Sequence, residues 1–277
     1  MDSFRRDGLT FDVLDAGPPD GDPVVLLHGF PQDATAWSKV APALHQHGLR
    51  TLSTDQRGYS PGARPSGRSA YRLRELTADV LALLDSAGLG SAHVVGHDWG
   101  GIVAWALGAR HPERVRTLTA ISVPHPAAMA RAMVTSDQAL RSSYVALFQL
   151  PVLPERLLTA DRCRALRHAL TRTSRPGAFA PSDLDRYVEA WLQPGTMTGM
   201  LNWYRALARL PRATPPRVRV PTLILWGKQD TALQPGLAEA SLDLCEAGRI
   251  EWFDQATHWL PHEEPAAVNA ALRHFLT

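Results

Sequence analysis

The sequence predicts an α/β fold, in which a mostly parallel sheet is flanked by helices and carries an inserted helical cap. Short apolar runs alternate with segments of helical spacing, which is typical of parallel strands covered on both faces. One apolar run passes straight into a helix through the tight stretch 96–100. Residues 127–212 have helical spacing but no strand pattern, so they interrupt the alternation. These three observations define the predicted fold class.

Length and charge limit the kinds of protein that this chain can be. Its 277 residues are enough for one large core with a smaller inserted unit. The formal net charge is +2, which gives no reason to expect nucleic acid or an anionic membrane as a partner. The first residues form no apolar leader, no window approaches a membrane span, and two cysteines make no disulfide framework. We therefore expect a cytoplasmic protein.

Turn residues divide the chain into predicted strands and helices. The predicted strands are 9–14, 24–27, 49–53, the run at 94–95, 116–122, 222–226 and 249–253. The predicted helices outside the cap are 73–84, 102–110, 237–245 and 265–276. The core is thus predicted at 1–126 and 213–277, with the cap at 127–212. Ligands are expected at the carboxyl ends of the strands, beneath this cap.

Residues 96–100 have the sequence Gly-His-Asp-Trp-Gly, between an apolar run and a helix. This is the pattern of the nucleophile elbow of the α/β-hydrolase fold, in which small neighbours let the chain close around one strained residue. The central residue is Asp98 rather than serine. A carboxylate can displace at a saturated carbon and form an ester that water later cleaves. The motif therefore predicts alkylation of Asp98 instead of acyl transfer to a serine.

Two further side chains follow later strands in the order that this fold requires, which is nucleophile, acid and histidine. Asp230 comes just after the sixth predicted strand, and His258 comes just after the last one. Asp254 competes for the role of the acid, but the position directly after a strand favours Asp230. The sequence therefore predicts a catalytic triad of Asp98, Asp230 and His258.

An oxyanion hole in this fold uses the backbone N–H after the nucleophile and another from the loop after an early strand. The first donor is predicted to be Trp99, and the second is Phe30 in the loop His28-Gly-Phe-Pro31. Pro31 has no N–H to donate and fixes the shape of the loop, and a cis Phe30–Pro31 bond is compatible with that role.

A second Gly-x-Ser-x-Gly match, at residues 58–62, has to be weighed as a serine-esterase elbow. Its nucleophile would be Ser60, but the next residue, Pro61, has no N–H to offer an oxyanion. We therefore reject this elbow. His258 and His262 are spaced like metal ligands, but the sequence offers no third ligand beside them, so no metal is expected.

Together the motifs resemble those of the epoxide hydrolases of the α/β-hydrolase fold. His28-Gly-Phe-Pro31 looks like their HGxP motif, and residues 96–100 look like their nucleophile motif. Tyr144 and Tyr204 resemble the two cap tyrosines that hold the epoxide oxygen in that family. Thr257 departs from the family pattern, in which a glycine often precedes the histidine.

The resemblance implies hydrolysis of a small-molecule epoxide to a vicinal diol without a cofactor. Asp98 would form the ester, and His258, oriented by Asp230, would activate the water that cleaves it. Opening an epoxide leaves a basic alkoxide, and the phenols of Tyr144 and Tyr204 stay protonated at neutral pH and can donate to it. Four aromatic side chains are predicted to line the substrate pocket: Trp99, Phe148, Trp191 and Trp203.

Two other functions are considered on the same scaffold. A haloalkane dehalogenase would want a second halide donor, often Asn, where this chain has Phe30. A haloacid dehalogenase would want an arginine just after the nucleophile, where this chain has Trp99. A non-catalytic small-molecule binding protein would keep the fold without turnover, and the complete triad argues against it.

Overall fold

Eight strands form one sheet in the residues that the computed structural model describes, which are 1–207 and 217–277. The strands are β1 (Ser3–Arg6), β2 (Leu9–Ala16), β3 (Asp22–Leu27), β4 (Leu49–Thr54), β5 (Ala92–His97), β6 (Val115–Ile121), β7 (Thr222–Gly227) and β8 (Gly248–Phe253). Their order across the sheet is β1-β2-β4-β3-β5-β6-β7-β8. β2 pairs antiparallel with β1 and β4, and every other pairing is parallel. The predicted α/β-hydrolase fold is confirmed.

Helices connect the parallel strands and form the insertion. In the described residues they are α1 (Ala41–His45), α2 (Leu73–Ser86), α3 (Trp99–Arg110), α4 (Pro126–Thr135), α5 (Gln138–Arg141), α6 (Tyr144–Phe148), α7 (Leu153–Thr173), α8 (Pro181–Trp191), α9 (Thr196–Leu207), α10 (Gly236–Leu242), α11 (Leu260–Glu263) and α12 (Pro265–Leu276). The long helix α7 is interrupted at residues 160–163, where the backbone dihedral angles are not helical.

The parallel strands are apolar on both faces because helices cover the sheet on both sides. Val24 and Leu26 of β3 pack in one cluster with α1 and α12, whereas the alternate residues Val25 and Leu27 pack in a second cluster with α2 and α3. Each fully buried side chain of this size contributes about 1.5–3 kcal/mol. This two-sided packing fixes the carboxyl ends of the strands, where the predicted site residues lie.

The helices α4–α9, called the inserted helices below, follow β6 and pack over the carboxyl ends of the strands. The indole N–H of Trp203 in α9 donates to the carbonyl oxygen of Arg57, 2.8 Å away, in the loop after β4. The indole N–H of Trp191 in α8 donates to the carbonyl oxygen of Pro31, 2.6 Å away, in the loop after β3. Both contacts tie the insertion to loops that surround the predicted site.

The inserted helices occupy the region predicted as a cap at 127–212, and the structure has no strand in residues 122–207. The predicted end of the cap, Arg212, lies outside the described residues. The division of the chain into core and cap at these boundaries stays a prediction. Within the described ranges, no helix is both long enough and apolar enough to cross a membrane.

The structure adds a strand that the sequence patterns did not predict. β1 forms a hairpin with β2 through Asp7 and Gly8, whose φ angles of 51° and 77° are both positive. An Asp-Gly turn of this kind matches the twist of the two strands that it joins. Phe4 is the buried residue of β1 and stacks on Phe11, with ring centroids 4.7 Å apart. One apolar residue among four leaves no alternation to detect.

Candidate active site

The chain turns sharply at Asp98, between the end of β5 and the start of α3. Asp98 has φ 50° and ψ −123°, a strained conformation for a residue with a side chain. The turn is possible only because its neighbours are small: a Cβ on Gly96 would overlap the carbonyl oxygen of Gly100, and a Cβ on Gly100 would overlap that of Leu27. The carbonyl oxygen of Asp98 then accepts the first hydrogen bonds of α3. The backbone thus holds the Asp98 carboxylate at the carboxyl end of β5.

Asp230 and His258 lie after β7 and β8, and their side chains meet. The imidazole Nδ1 of His258 lies 2.8 Å from Oδ2 of Asp230. The other oxygen of Asp230 accepts from the backbone N–H groups of Ala232 (2.8 Å) and Leu233 (2.9 Å), which fixes the carboxylate. The rival acid, Asp254, instead pairs with Lys228 at the surface. Of the two candidate carboxylates, Asp230 is therefore the one that contacts His258.

The opposite edge of the His258 ring faces Asp98. Its Nε2 lies 3.6 Å from Oδ2 of Asp98. Burial alone would lower the pKa of His258, but the charges of Asp230 and Asp98 outweigh burial and raise the pKa to about 10. Burial likewise opposes ionisation of Asp98, but hydrogen bonding to His258 and the charge of its ring hold the pKa of Asp98 below its usual range. The pair is therefore charged at neutral pH.

The predicted oxyanion donors contact the Asp98 carboxylate. The backbone N–H of Phe30 donates to its Oδ1, 2.8 Å away, and the backbone N–H of Trp99 helps to hold the pKa of the carboxyl group below its usual range. The Phe30–Pro31 peptide bond is cis. These contacts leave Oδ2 on the side of His258, so the two carboxylate oxygens of Asp98 have different surroundings.

The two predicted tyrosines lie together on the inserted helices. Tyr204 of α9 is buried, and its ring packs edge-on against Trp99 and Phe30 at centroid distances of 5.0 and 5.3 Å. Tyr144 of α6 lies 6.1 Å from Tyr204, ring to ring, and is 44% exposed, so it stands nearer the surface. Burial and the charge of Asp98 raise the pKa of both phenols. Both therefore keep their protons at neutral pH.

Three of the four predicted pocket aromatics surround Tyr204, and one does not. Phe148 packs against Tyr204 at 5.1 Å, and Trp203 packs against Trp99 at 5.5 Å. Trp191 stacks instead on Tyr187, behind the loop that carries Pro31. Trp191 lines another cavity, of about 180 Å³, whose lining also includes three aspartates. The structure therefore does not bring Trp191 to the wall beside Asp98.

Sequence reasoning missed a group of buried polar side chains behind the triad. His97 donates from Nε2 to the carbonyl oxygen of His258, 2.8 Å away, and burial lowers its pKa to about 4. Gln32 donates to the hydroxyl oxygen of Tyr187 (3.0 Å) and to Nε2 of His262 (2.6 Å), and burial lowers the pKa of His262 to about 3. The sequence offered one signal for these residues, which is their position. His97 directly precedes Asp98, and Gln32 directly follows the loop at 28–31.

The rejected elbow is a structural turn. The hydroxyl of Ser60 donates to the carbonyl oxygen of Asp55 and accepts from the backbone N–H of Asp12, both at 2.8 Å. Among the residues that the structure describes, no three His, Cys, Asp or Glu side chains are grouped to hold a metal ion.

Thr257, the residue that departs from the family pattern, is accommodated by a carboxylate. Its backbone N–H and hydroxyl donate to the two oxygens of Glu263, at 2.7 and 2.6 Å. The loop also approaches Gly227, where a Cβ would overlap the carbonyl oxygen of Thr257. The loop before His258 is thus held by other means than a glycine.

Comparisons with known proteins identify the family of this chain. A family model described as the α/β-hydrolase fold matches residues 22–265. The AB hydrolase superfamily protein YfhM of Bacillus subtilis is 40% identical over 274 residues, which cover 98% of this chain and 96% of that protein. Epoxide hydrolase A of Mycobacterium tuberculosis is 34% identical over 309 residues, which cover 98% of this chain and 95% of that protein.

A solved structure described among novel epoxide hydrolases of the α/β-hydrolase superfamily, from metagenomes of hot environments, is similar along its whole length. It has a TM-score of 0.87 and 32% sequence identity, and the match covers 99% of this chain and 97% of that one. The resemblance predicted from the motifs is confirmed by these matches. The chain belongs to the epoxide hydrolase family of the α/β-hydrolase fold.

Proposed function

We propose that this protein hydrolyses a small-molecule epoxide to a vicinal diol through a covalent ester on Asp98. The observation that carries the proposal is the placement of two protonated phenols on the inserted helices, across from a carboxylate at the elbow. A serine hydrolase has no need of such donors, whereas an epoxide oxygen becomes a basic alkoxide that requires them. The names of similar proteins, which include epoxide hydrolases, support the same reaction.

The first half of the reaction uses the difference between the two oxygens of Asp98. Oδ1 is engaged by the N–H of Phe30, which leaves Oδ2 to attack. Oδ2 forms a bond to an epoxide carbon while the ring C–O bond breaks. The oxygen that leaves the carbon takes a proton from Tyr144 or Tyr204, and the other phenol donates a hydrogen bond. The product is a hydroxyalkyl ester of Asp98 and one phenolate.

The second half returns every group to its starting state. Loss of the Asp98 charge in the ester lets His258 give up its proton, and the phenolate takes one up, which restores the phenol. The neutral imidazole then takes a proton from water, and the hydroxide attacks the carboxyl carbon of Asp98. The negative charge that develops lies on Oδ1, which already accepts a hydrogen bond from the N–H of Phe30, and the N–H of Trp99 serves as the second donor in this proposal. The ester bond breaks, the diol oxygen takes the proton of the new carboxyl group, and the Asp98 carboxylate again faces a protonated His258. Asp230 stabilises the imidazolium whenever it forms.

The dehalogenase alternative is weaker because the second halide donor is missing, although the indole of Trp99 can contact a halide. A leaving halide needs free N–H groups to stabilise its charge. The indole N–H groups of Trp191 and Trp203 donate to backbone carbonyl oxygens, and the side chain at Phe30 has no donor. The binding-protein alternative does not explain the strained backbone of Asp98, because strain of this kind costs free energy and is typical of functional sites.

A single-turnover reaction in ¹⁸O-water tests the ester directly. With protein in excess over a styrene-type epoxide, we expect the diol to carry unlabelled oxygen from Asp98, and the label to appear in the protein. Mass spectrometry of the diol and of the peptide that contains Asp98 measures both. Labelled diol in the first turnover would mean that water attacks the epoxide directly, and the proposed ester would be wrong.

The pH dependence of ester cleavage provides a second test. His258 must be neutral to take a proton from water, so the rate of ester cleavage should rise with pH through the pKa of His258. Alkylation removes the charge of Asp98, which is one of the two charges that raise this pKa to about 10 in the free protein. Removal of one close carboxylate is expected to lower the pKa by about 1–3 pH units.

Two measurements are compared in this test. An NMR titration of the His258 ring gives the pKa in the free protein, and stopped-flow measurement of ester breakdown against pH gives the pKa in the intermediate. We expect the second value to be the lower one. Equal values would show that Asp98 does not control the base.

A further inference from the structure

Arg205 is a buried arginine whose guanidinium group makes four hydrogen bonds inside the inserted helices. Its Nε donates to the carbonyl oxygen of Phe148 (2.8 Å), and one terminal nitrogen donates to that of Leu150 (2.7 Å). The two terminal nitrogens also donate to the two carboxylate oxygens of Glu155, at 2.6 and 2.9 Å. Burial opposes ionisation of Glu155, but the hydrogen bonds from Arg205 hold its pKa below its usual range. We call this group the arginine clamp.

The arginine clamp caps the C-terminal end of α6, the helix that carries Tyr144. Helix α6 has five residues, and a helix of that length is not stable by itself. The last carbonyl groups of any helix lack partners within the helix, and a cation there is favourable. Phe148 is the last residue of α6, and Leu150 follows two residues later, so Arg205 supplies both the donors and the charge.

The clamp also fixes the second phenol, because Arg205 directly follows Tyr204 in α9. A second contact joins the same two helices: the amide of Gln149 donates to the backbone carbonyl oxygen of Tyr204, 3.2 Å away. The Phe148 ring lies between the phenols, 5.4 Å from Tyr144 and 5.1 Å from Tyr204. One guanidinium therefore joins the segment that carries Tyr144 to the helix that carries Tyr204.

We propose that Arg205 is a positioning residue that holds Tyr144 and Tyr204 at the spacing needed to donate to one oxygen atom. The catalytic consequence rests on the proposed epoxide hydrolysis, whereas the spacing of the phenols does not. The clamp acts on the donors only. It therefore affects opening of the epoxide, which uses the phenols, and leaves cleavage of the ester by His258 and water unchanged.

The Arg205→Lys variant separates positioning from charge. A lysine keeps the positive charge beside Glu155, but its single ammonium cannot reach a carboxylate and two carbonyl oxygens in the planar arrangement of a guanidinium. Arg114→Lys is the matched control, because Arg114 also donates to two carbonyl oxygens, those of Leu89 and Gly90, and to a carboxylate. Those contacts lie before β5, at the opposite end of the strands from Asp98.

Rapid-mixing kinetics measure the two steps separately in each variant. Arg205→Lys should slow ester formation by about ten- to a hundredfold, the loss expected when a catalytic group is displaced by roughly 1 Å, and Arg114→Lys should not. Ester cleavage should be unchanged in both. In a Tyr144→Phe background, Arg205→Lys should have a smaller effect on ester formation, because one of the two phenols whose spacing it sets is absent. Equal effects in the two backgrounds, or equal slowing of both steps, would overturn the proposal.

A second readout does not depend on epoxide turnover. The chain contains five tyrosines, so incorporation of 3-fluorotyrosine gives five ¹⁹F resonances that Tyr→Phe variants assign. Arg205→Lys should shift the resonances of Tyr144 and Tyr204 and leave those of Tyr59, Tyr71 and Tyr187 in place. Unshifted phenol resonances would overturn the proposal.

The two readouts also separate failure of this inference from failure of the proposed function. If the unmodified protein opens no epoxide, the proposed function is wrong, and the ¹⁹F spectra still decide whether Arg205 positions the phenols. Should Arg205→Lys fail to fold, Glu155→Gln replaces it, since glutamine keeps one acceptor for the guanidinium but removes the charge that orients it. The same kinetic and spectroscopic outcomes are expected for that variant.

Discussion

The Asp98→Asn variant is expected to lose at least about 10⁴-fold in epoxide turnover, the scale found when the nucleophile of a covalent mechanism is removed. An amide oxygen is a much weaker nucleophile than a carboxylate oxygen, so the ester cannot form at a useful rate. Asp230 cannot substitute, because its oxygens are bound to His258 and to two backbone N–H groups. Steady-state diol formation from a styrene-type epoxide measures the loss, and circular dichroism tests whether the fold is kept.

The matched control is Asp254→Asn, the same change at the carboxylate that pairs with Lys228 on the surface. We expect normal turnover from it. If Asp98→Asn retained turnover within about tenfold of the unmodified protein, the barrier would have changed by only about 1.4 kcal/mol, which is too little for loss of the nucleophile. The reaction would then use another group, and the assignment of the elbow would have to be abandoned.

The triad could be predicted from sequence because the topology of the fold assigns each member to a strand end. Asp98 interrupts the passage from β5 to α3, Asp230 follows β7, and His258 follows β8. In a parallel sheet these ends meet along one edge, so their order in the chain is enough to bring them together. The choice of Asp230 over Asp254 needed only the distance of each from the end of its strand.

The contacts of side chains within the insertion could not be predicted in this way. Trp191 was expected in the pocket on its aromatic character, but its indole N–H finds an acceptor in Pro31 and its ring turns away from Tyr204. Helical spacing shows which face of a helix is apolar, not which neighbour that face meets. Arg205 directly follows Tyr204, yet its partners lie in α6, in the segment after α6 and in α7, so residue spacing within α9 could not predict the clamp.

Three elements of the core escaped prediction for a simpler reason. β1 is four residues long with one buried side chain, α1 is five residues long and α11 is four, so none is long enough to show a period. His97 presents a different case, because the sequence shows a histidine beside Asp98 but not where its side chain points. In the structure this side chain is buried and donates to the backbone carbonyl oxygen of His258.

The His258→Gln variant is expected to accumulate the ester instead of losing all reactivity. Asp98 can still attack, because its Oδ1 keeps the N–H of Phe30 and both phenols are untouched. Ester cleavage loses its base, which costs about 10²–10⁴-fold. Each protein molecule should therefore open about one epoxide rapidly and then stop, a burst that is typical of an arrested covalent intermediate. Mass spectrometry should find the whole mass of the epoxide added to the peptide that contains Asp98.

Glutamine is the appropriate replacement because of Asp230, whose side chain is fully buried against His258. Removal of the imidazole without a substitute donor would leave a buried carboxylate with fewer partners, and such losses destabilise proteins by about 3–5 kcal/mol. The glutamine amide can still donate to Asp230, and His274→Gln, on the exposed face of α12, controls for the substitution itself. Rapid release of diol by His258→Gln at the rate of this control would show that another group activates water. A burst without an adduct on Asp98 would show that the ester forms elsewhere.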